Sequence, residues 1–251
     1  MRAAIVTPFD ERSFLSSSSV LFSLLPVFEA LSFPTRFWPA VFTFLSPNEV
    51  VRFALAGAAS VWRDEGRLRA INNELVMAAR EREGKQASPT AGVIDSQSVK
   101  TTESGGIRGF DAGKKIMGRK RHIVTDTLGL LVGLVVHAAD VQDRDGAPAV
   151  LKSILKRWPW LRHVFADGGY AGPKLKGALQ KVGKFTLEIV KRSDTAKGFE
   201  VLPRRWVVER TFAWLGRCRR FAKDFERTMA SAEAWVLIAN IRMLTRRLAR
   251  H

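Results

Sequence analysis

The chain reads as α/β, a mixed sheet flanked by helices, and three observations predict it. Apolar runs that end on an acid recur at Val93-Ile94-Asp95 and Val164-Phe165-Ala166-Asp167. Residues 121–126 and 130–136 are β-rich and flank Thr127-Leu128-Gly129, which is a hairpin pattern. Between and after these runs lie segments whose apolar residues recur every three or four positions, the period of a helix packed on one side. Strands alternating with such helices build a sheet covered by helices.

Taken in order, residues 1–59 stand apart in composition. They hold nine of the 16 Phe and no Lys, and their four Arg balance four acids, so the whole net charge of +17 belongs to residues 60–251. This segment is expected to be a small helical unit, or poorly ordered, or the product of a shifted frame or misplaced start. Its apolar stretch 14–45 is broken by Glu29, Arg36 and prolines 26, 34 and 39 in every window of about 18 residues, which argues against a membrane span. Asp10 and Glu11 spoil the positive start a signal sequence needs.

Residues 61–83 are expected to be a helix, with Trp62, Leu68, Ile71 and Leu75 on its apolar side. The Gly- and Pro-containing stretch 84–90 is a linker, so residues 60–90 lead into a domain at 91–251. The Asp95 strand comes first, then a Gly/Ser/Thr-rich loop over 101–113, then the hairpin. A helix begins near Asp140 and Asp143 and runs through Leu155, and Trp158-Pro159-Trp160 stops it. The Asp167 strand, a helix at 173–182, a strand at 185–190, a helix around Glu209 and a last amphipathic helix at 231–249 complete the domain. On that last helix Trp235, Ile238, Ile241, Leu244 and Leu248 share one side.

Cys218 is the only cysteine, which excludes a disulfide framework and a Cys-based zinc site. The excess of 41 Lys and Arg over 24 acids suits a polyanion. Asp95, Asp167 and Glu209 come from three separate segments, two strands and a helix. Hard oxygen donors gathered this way are what a pair of Mg²⁺ ions requires, with positions left open for phosphate oxygens and water. Asp140 has a simpler reading as a helix cap, and His137, at the end of a strand, as a structural residue.

The segments GVIDSQSVKTTESGG, GRKRHIVTDTLGLL, HAADVQDRDGA, FADGGYAG and RRWVVERTFAWLGRCRRF resemble those of DDE-type bacterial insertion-sequence transposases, from about Ser60 to the C-terminus. The resemblance implies a ribonuclease-H-like catalytic domain that cuts DNA at the ends of a mobile element and joins the freed 3′ ends to a target. It places Asp95, Asp167 and Glu209 on the catalytic, metal-binding triad, with two Mg²⁺ as cofactors and Mn²⁺ as a substitute. It further implies double-stranded DNA as partner, a homodimer on that DNA, and a cytoplasmic, nucleoid-associated protein. The family's Tyr-Arg-Glu-Lys signature is met at Arg205 and Glu209, while Leu202 and Gly216 stand at the Tyr and Lys positions.

DNA-contact candidates are Lys100, Lys114, Lys115, Arg119, Arg121, Lys191, Arg205 and Arg217. Two alternatives stay open on the sequence: a ribonuclease-H-like nuclease that cuts without joining, and a catalytically silent DNA-binding remnant.

Overall fold

A computed structural model describes residues 62–103, 106–183, 185–190 and 203–249, all within the unit Ala56–His251. The expectations for residues 1–59 and for Lys191 lie outside the described residues. Among those described, six strands and five helices follow one another as α1 (Arg67–Arg82), β1 (Ala91–Lys100), β2 (Gly109–Asp111), β3 (Ile116–Asp126), β4 (Leu131–Ala138) and α2 (Asp143–Ile154). Then come β5 (His163–Ala166), α3 (Pro173–Val182), β6 (Thr186–Ile189), α4 (Pro203–Gly216) and α5 (Met229–Leu248).

The sheet order is β2-β3-β1-β5-β6, with β4 also paired to β3. β1 and β3 run antiparallel over nine register pairs, including Asp95↔Ile123 and Lys100↔Gly118. β1 pairs with β5 in parallel only at Ala91, Gly92 and Val93, and β5 pairs with β6 in parallel. Beyond Val93, therefore, β1 runs on without β5, which ends at Ala166.

Both faces of the sheet are covered, so its central strands read as continuous apolar runs. Ile94, Val124 and Val164 pack under α2 and α3 with Val150, Leu151 and Leu175. Val93, Ile123 and Phe165, on the opposite face, pack under α4 and α5 with Val208, Phe212 and Leu237. Alternation along β1 puts Asp95 on the same side as Val93, and alternation beyond β5 puts Asp167 on the side of Phe165. Both carboxylates therefore belong to the face that α4 covers. This mixed sheet between helices is the ribonuclease-H-like α/β architecture that the resemblance implied.

Some expectations need correction. The expected first helix is interrupted: residues 62–64 are helical, and α1 begins at Arg67, because Gly66 sits at φ 71°, in the left-handed region, and breaks the turn before it. Its deeply buried side also includes Asn72 and Arg80, which hydrophobicity alone would place outward. Asn72 donates to Leu131 O at 2.9 Å and accepts from Asn240 of α5 at 2.6 Å, and Arg80 pairs with the buried Asp126. The loop expected over 101–113 contains β2, a short strand added to β3. The helix expected to start at Asp140 is capped at Gln142 and has Asp143 as its first residue. Both sides of α5 are used: Ala232, Val236, Leu237 and Asn240 are the deeply buried positions, because α5 is wedged against α1 as well as β4.

Candidate active site

Asp95 sits on β1 just past the last residue paired with β5. Its Oδ1 accepts the Ser96 N–H at 2.7 Å. Burial pushes the carboxyl up to about 6, the Ser96 N–H working against that shift and the charge of Asp167 adding to it, with Lys114 lowering and Asp143 raising it further. Asp167 is the first residue after β5 and caps the short turn Gly168–Tyr170, its Oδ1 accepting from Gly169 N at 2.8 Å.

Glu209 comes from the middle of α4, on its exposed side. The opposite side of α4 sinks Val208, Phe212 and Leu215 into the core, which fixes the rotation of the helix. Thr211 Oγ1 donates to Gly129 O at 2.8 Å, and Arg210 Nη2 to Leu128 O at 3.0 Å, so α4 is fastened to the β3–β4 turn. The Arg210 guanidinium lies between the Trp206 and Trp214 rings, 4.8 and 4.7 Å from their centroids. One turn before Glu209, Arg205 places Nη2 3.4 Å from Glu209 Oε1 and 3.7 Å from Asp167 Oδ2. The ion pair along the helix is thus also a bridge to the carboxylate that follows β5.

A fourth carboxylate, which sequence reasoning treated only as part of a helix start, adjoins the site from the other face of the sheet. Asp143 accepts from Ser96 Oγ at 2.7 Å and from Lys120 Nζ at 2.9 Å. Burial raises its pKa, but the Ser96 hydroxyl and Lys120 outweigh that and hold the carboxyl below its ordinary value. Behind it Tyr170 is fully buried; its phenol is pushed well above the usual value by burial and then by the charges of Asp95, Asp143 and Asp167. The only sequence signal for Asp143 was its place just after the third long strand.

A groove of about 500 Å³ runs beside the site, lined by Ser96, Gln97, Lys114, Glu209 and Phe212 among others. Lys114 Nζ reaches Ser96 O at 3.4 Å. The donor set of Asp95, Asp167 and Glu209 is all carboxylate oxygen and fits a hard divalent cation in kind. The charge of Asp167, felt at Asp95, is what such a cation would relieve. Among the described residues, no three His, Cys, Asp or Glu side chains stand close enough together to hold a metal ion, and Arg205 bridges two of the three acids.

The cations divide into two groups. Lys100, Lys114, Lys115 and Arg217 are exposed and Arg205 half-exposed. Arg119 and Arg121 correct the expectation of a phosphate-contacting edge, because both are buried. Arg119 donates to the carbonyls of Ile107, Glu226, Arg227 and Thr228 and pairs with Asp224 at 3.3 Å. Arg121 lies over the Phe221 ring, 4.7 Å from its centroid, and burial lowers its pKa to about 10. Alternation turns these side chains under the sheet onto the segment that joins α4 to α5, whose carbonyls take donors of Arg119 and, at Phe221 O, one of Arg121.

The family described as "Transposase DDE domain" matches residues 86–244, well over half of the chain and all of the site. A putative transposase for insertion sequence element IS402 of Burkholderia cepacia is 34% identical over 117 residues, covering 44% of this chain and 54% of that protein. The chain thus spans about half the length of this curated relative. With a matching fold and this family match over more than half of its length, the chain belongs to the family of transposases with a DDE domain.

Proposed function

We propose that Asp95, Asp167 and Glu209 form one catalytic centre for Mg²⁺-dependent cleavage of DNA at the ends of an insertion sequence and for transfer of the freed 3′-hydroxyl into target DNA. What supports it is that the three acids lie on one face: Asp95 on β1 just past its pairing with β5, Asp167 just after β5, and Glu209 on a helix tied to Asp167 through Arg205. When bound, a pair of divalent cations supplies an attacking oxygen of lowered pKa and a Lewis acid at the leaving oxygen.

The chain's own residues would do the rest. Asp95, Asp167 and Glu209 would hold the cations; Lys114, which lines the groove, and Arg205, beside Asp167 and Glu209, would neutralise phosphate oxygens. Thr211 and Arg210 keep Glu209 in place through the β3–β4 turn. No side-chain nucleophile is required, so no covalent protein–DNA intermediate forms. In this reading residues 91–251 are the catalytic domain, 60–90 lead into it, and 1–59 are an atypical N-terminal segment. Double-stranded DNA is the partner, engaged by a homodimer at the nucleoid, and Mn²⁺ replaces Mg²⁺.

The test is a purified assay on DNA carrying the element's ends, with and without Mg²⁺. Cleavage and joined product that disappear in Asp95→Asn, with duplex affinity retained, support the proposal. Cleavage without joining would make the protein a nuclease, and salt-dependent binding with no Mg²⁺-dependent product would make it a silent remnant. Cleavage that survives Asp95→Asn would remove Asp95 from the centre.

A further inference from the structure

Phe110 on β2 and Met117 on β3 are register partners in the hairpin, and each keeps 49% of its surface exposed. Ile107, just before β2, is 67% exposed. Partners opposite one another share a face, so two large apolar side chains stand side by side in water. The hairpin that presents them is firmly held: Arg119 Nε donates to Ile107 O at 2.8 Å, and Ser98 Oγ to Asp111 Oδ2 at 2.6 Å. Its turn places Lys115 at φ 53°, a left-handed conformation costly for a side chain with a Cβ. Strain of this sort persists where the surroundings enforce one shape.

Alternation along β3 puts Met117 on the face of Ile123, the register partner of Asp95. The apolar pair and the catalytic Asp therefore share one face of the sheet. Lys100, five positions after Asp95, is paired with Gly118, the neighbour of Met117. The separation along the strand is about 17 Å, a few nucleotides of DNA chain. Between them Lys114, from the same hairpin, lines the groove beside Glu209. Arg108 and Lys115, both exposed, add positive charge around the pair.

We propose that this hairpin holds unpaired nucleobases next to the cleavage site. Phe110 and Met117 cover base faces, and Arg108, Lys114 and Lys115 take the flanking phosphates. The proposal rests on the DNA-cleaving reading above. Stacked bases in a duplex show only their edges in the grooves, whereas unpaired bases expose apolar faces. Those faces stack on such side chains whatever the sequence. The ring of cations selects this polyanion over an uncharged partner surface.

The test uses the full chain with two probes, a fully paired duplex and a forked duplex carrying 2-aminopurine in its single-stranded arm. The wild-type protein should prefer the fork by roughly tenfold and quench the 2-aminopurine, as stacking on one base implies. F110A/M117A should lose both effects while keeping its affinity for the paired duplex, and F110W should retain them. An F110A/M117A protein with undiminished fork preference overturns the proposal. So does one whose mass by light scattering changes while the preference stays, which would assign the pair to a contact between copies. An F110W protein with native melting temperature but no fork preference also overturns it. Failure of the wider functional reading is distinguished by a separate readout, the absence of Mg²⁺-dependent cleavage of DNA carrying the element's ends, on which the fork preference does not depend.

Discussion

Arg205 Nη2 stands 3.7 Å from Asp167 Oδ2 and reaches the strand-end carboxylate from the same helix that carries Glu209, whose Oε1 is 3.4 Å away. A guanidinium between two acids occupies the electrostatic position that a divalent cation would take. Arg205→Gln should therefore tighten Mn²⁺ binding to the DNA-free protein, roughly two- to tenfold for removal of two partly exposed ion pairs. Titration calorimetry measures it; unchanged or weaker binding would show that Arg205 does not compete for these carboxylates.

Asp95 makes stability depend on pH. Its folded value, about 6, lies above the unfolded 3.8, so the folded state keeps a proton that the unfolded chain releases between those values. Stability contributed by this group is therefore full below pH 3.8 and falls as pH rises through 6. In metal-free buffer Asp95→Asn should be more stable than wild type at pH 8, by about 2 kcal/mol once partial solvent access is allowed for, and equal to it at pH 3.5. Denaturant melts at the two pH values check this, and a variant that is less stable at pH 8 would contradict it.

Basic residues that look alike in the sequence should separate by experiment. Arg119→Ala breaks a fully buried ion pair and strands several carbonyls, so a loss of about 3–5 kcal/mol is expected. Lys115→Ala, at an exposed turn, should leave the melting temperature unchanged and reduce the salt slope of DNA binding by about one. The reverse pattern would restore Arg119 to the DNA-contacting edge.

Thr211 tests whether α4 must be pinned for Glu209 to act. Thr211→Val keeps the shape but loses the bond to Gly129 O, for about 1 kcal/mol of stability. Cleavage should slow while DNA affinity holds. A variant of native activity would mean that core packing alone sets the helix.

The carboxylate set was legible because each acid ends an apolar run or interrupts a helical one, and the period of the run fixes which face it joins. β1, β3, β4 and α3 were legible for the same reason. Arg119, Arg121 and Asp143 were not. Whether a cation on a strand meets solvent or a carbonyl-rich segment depends on what packs against that face, and the segment over Arg119 lies more than a hundred residues away. Asp143 owes its place to Ser96 and Lys120, partners that no local pattern announces. β2 escaped because three residues are too few to show alternation, and Asn72 and Asn240 because two amides that satisfy each other can occupy apolar positions.

The convergence of Asp95, Asp167 and Glu209 is tested most directly by letting a cation mark its own neighbours. Fe²⁺ substituted for Mg²⁺, with ascorbate and peroxide, cuts the backbone close to wherever it is held, and mass spectrometry reads the fragments. Cuts beside residues 95, 167 and 209 together, suppressed by Mg²⁺ and lost in Glu209→Gln, are the predicted result. Cuts confined to one of the three segments, or unaffected by excess Mg²⁺, would contradict a shared centre.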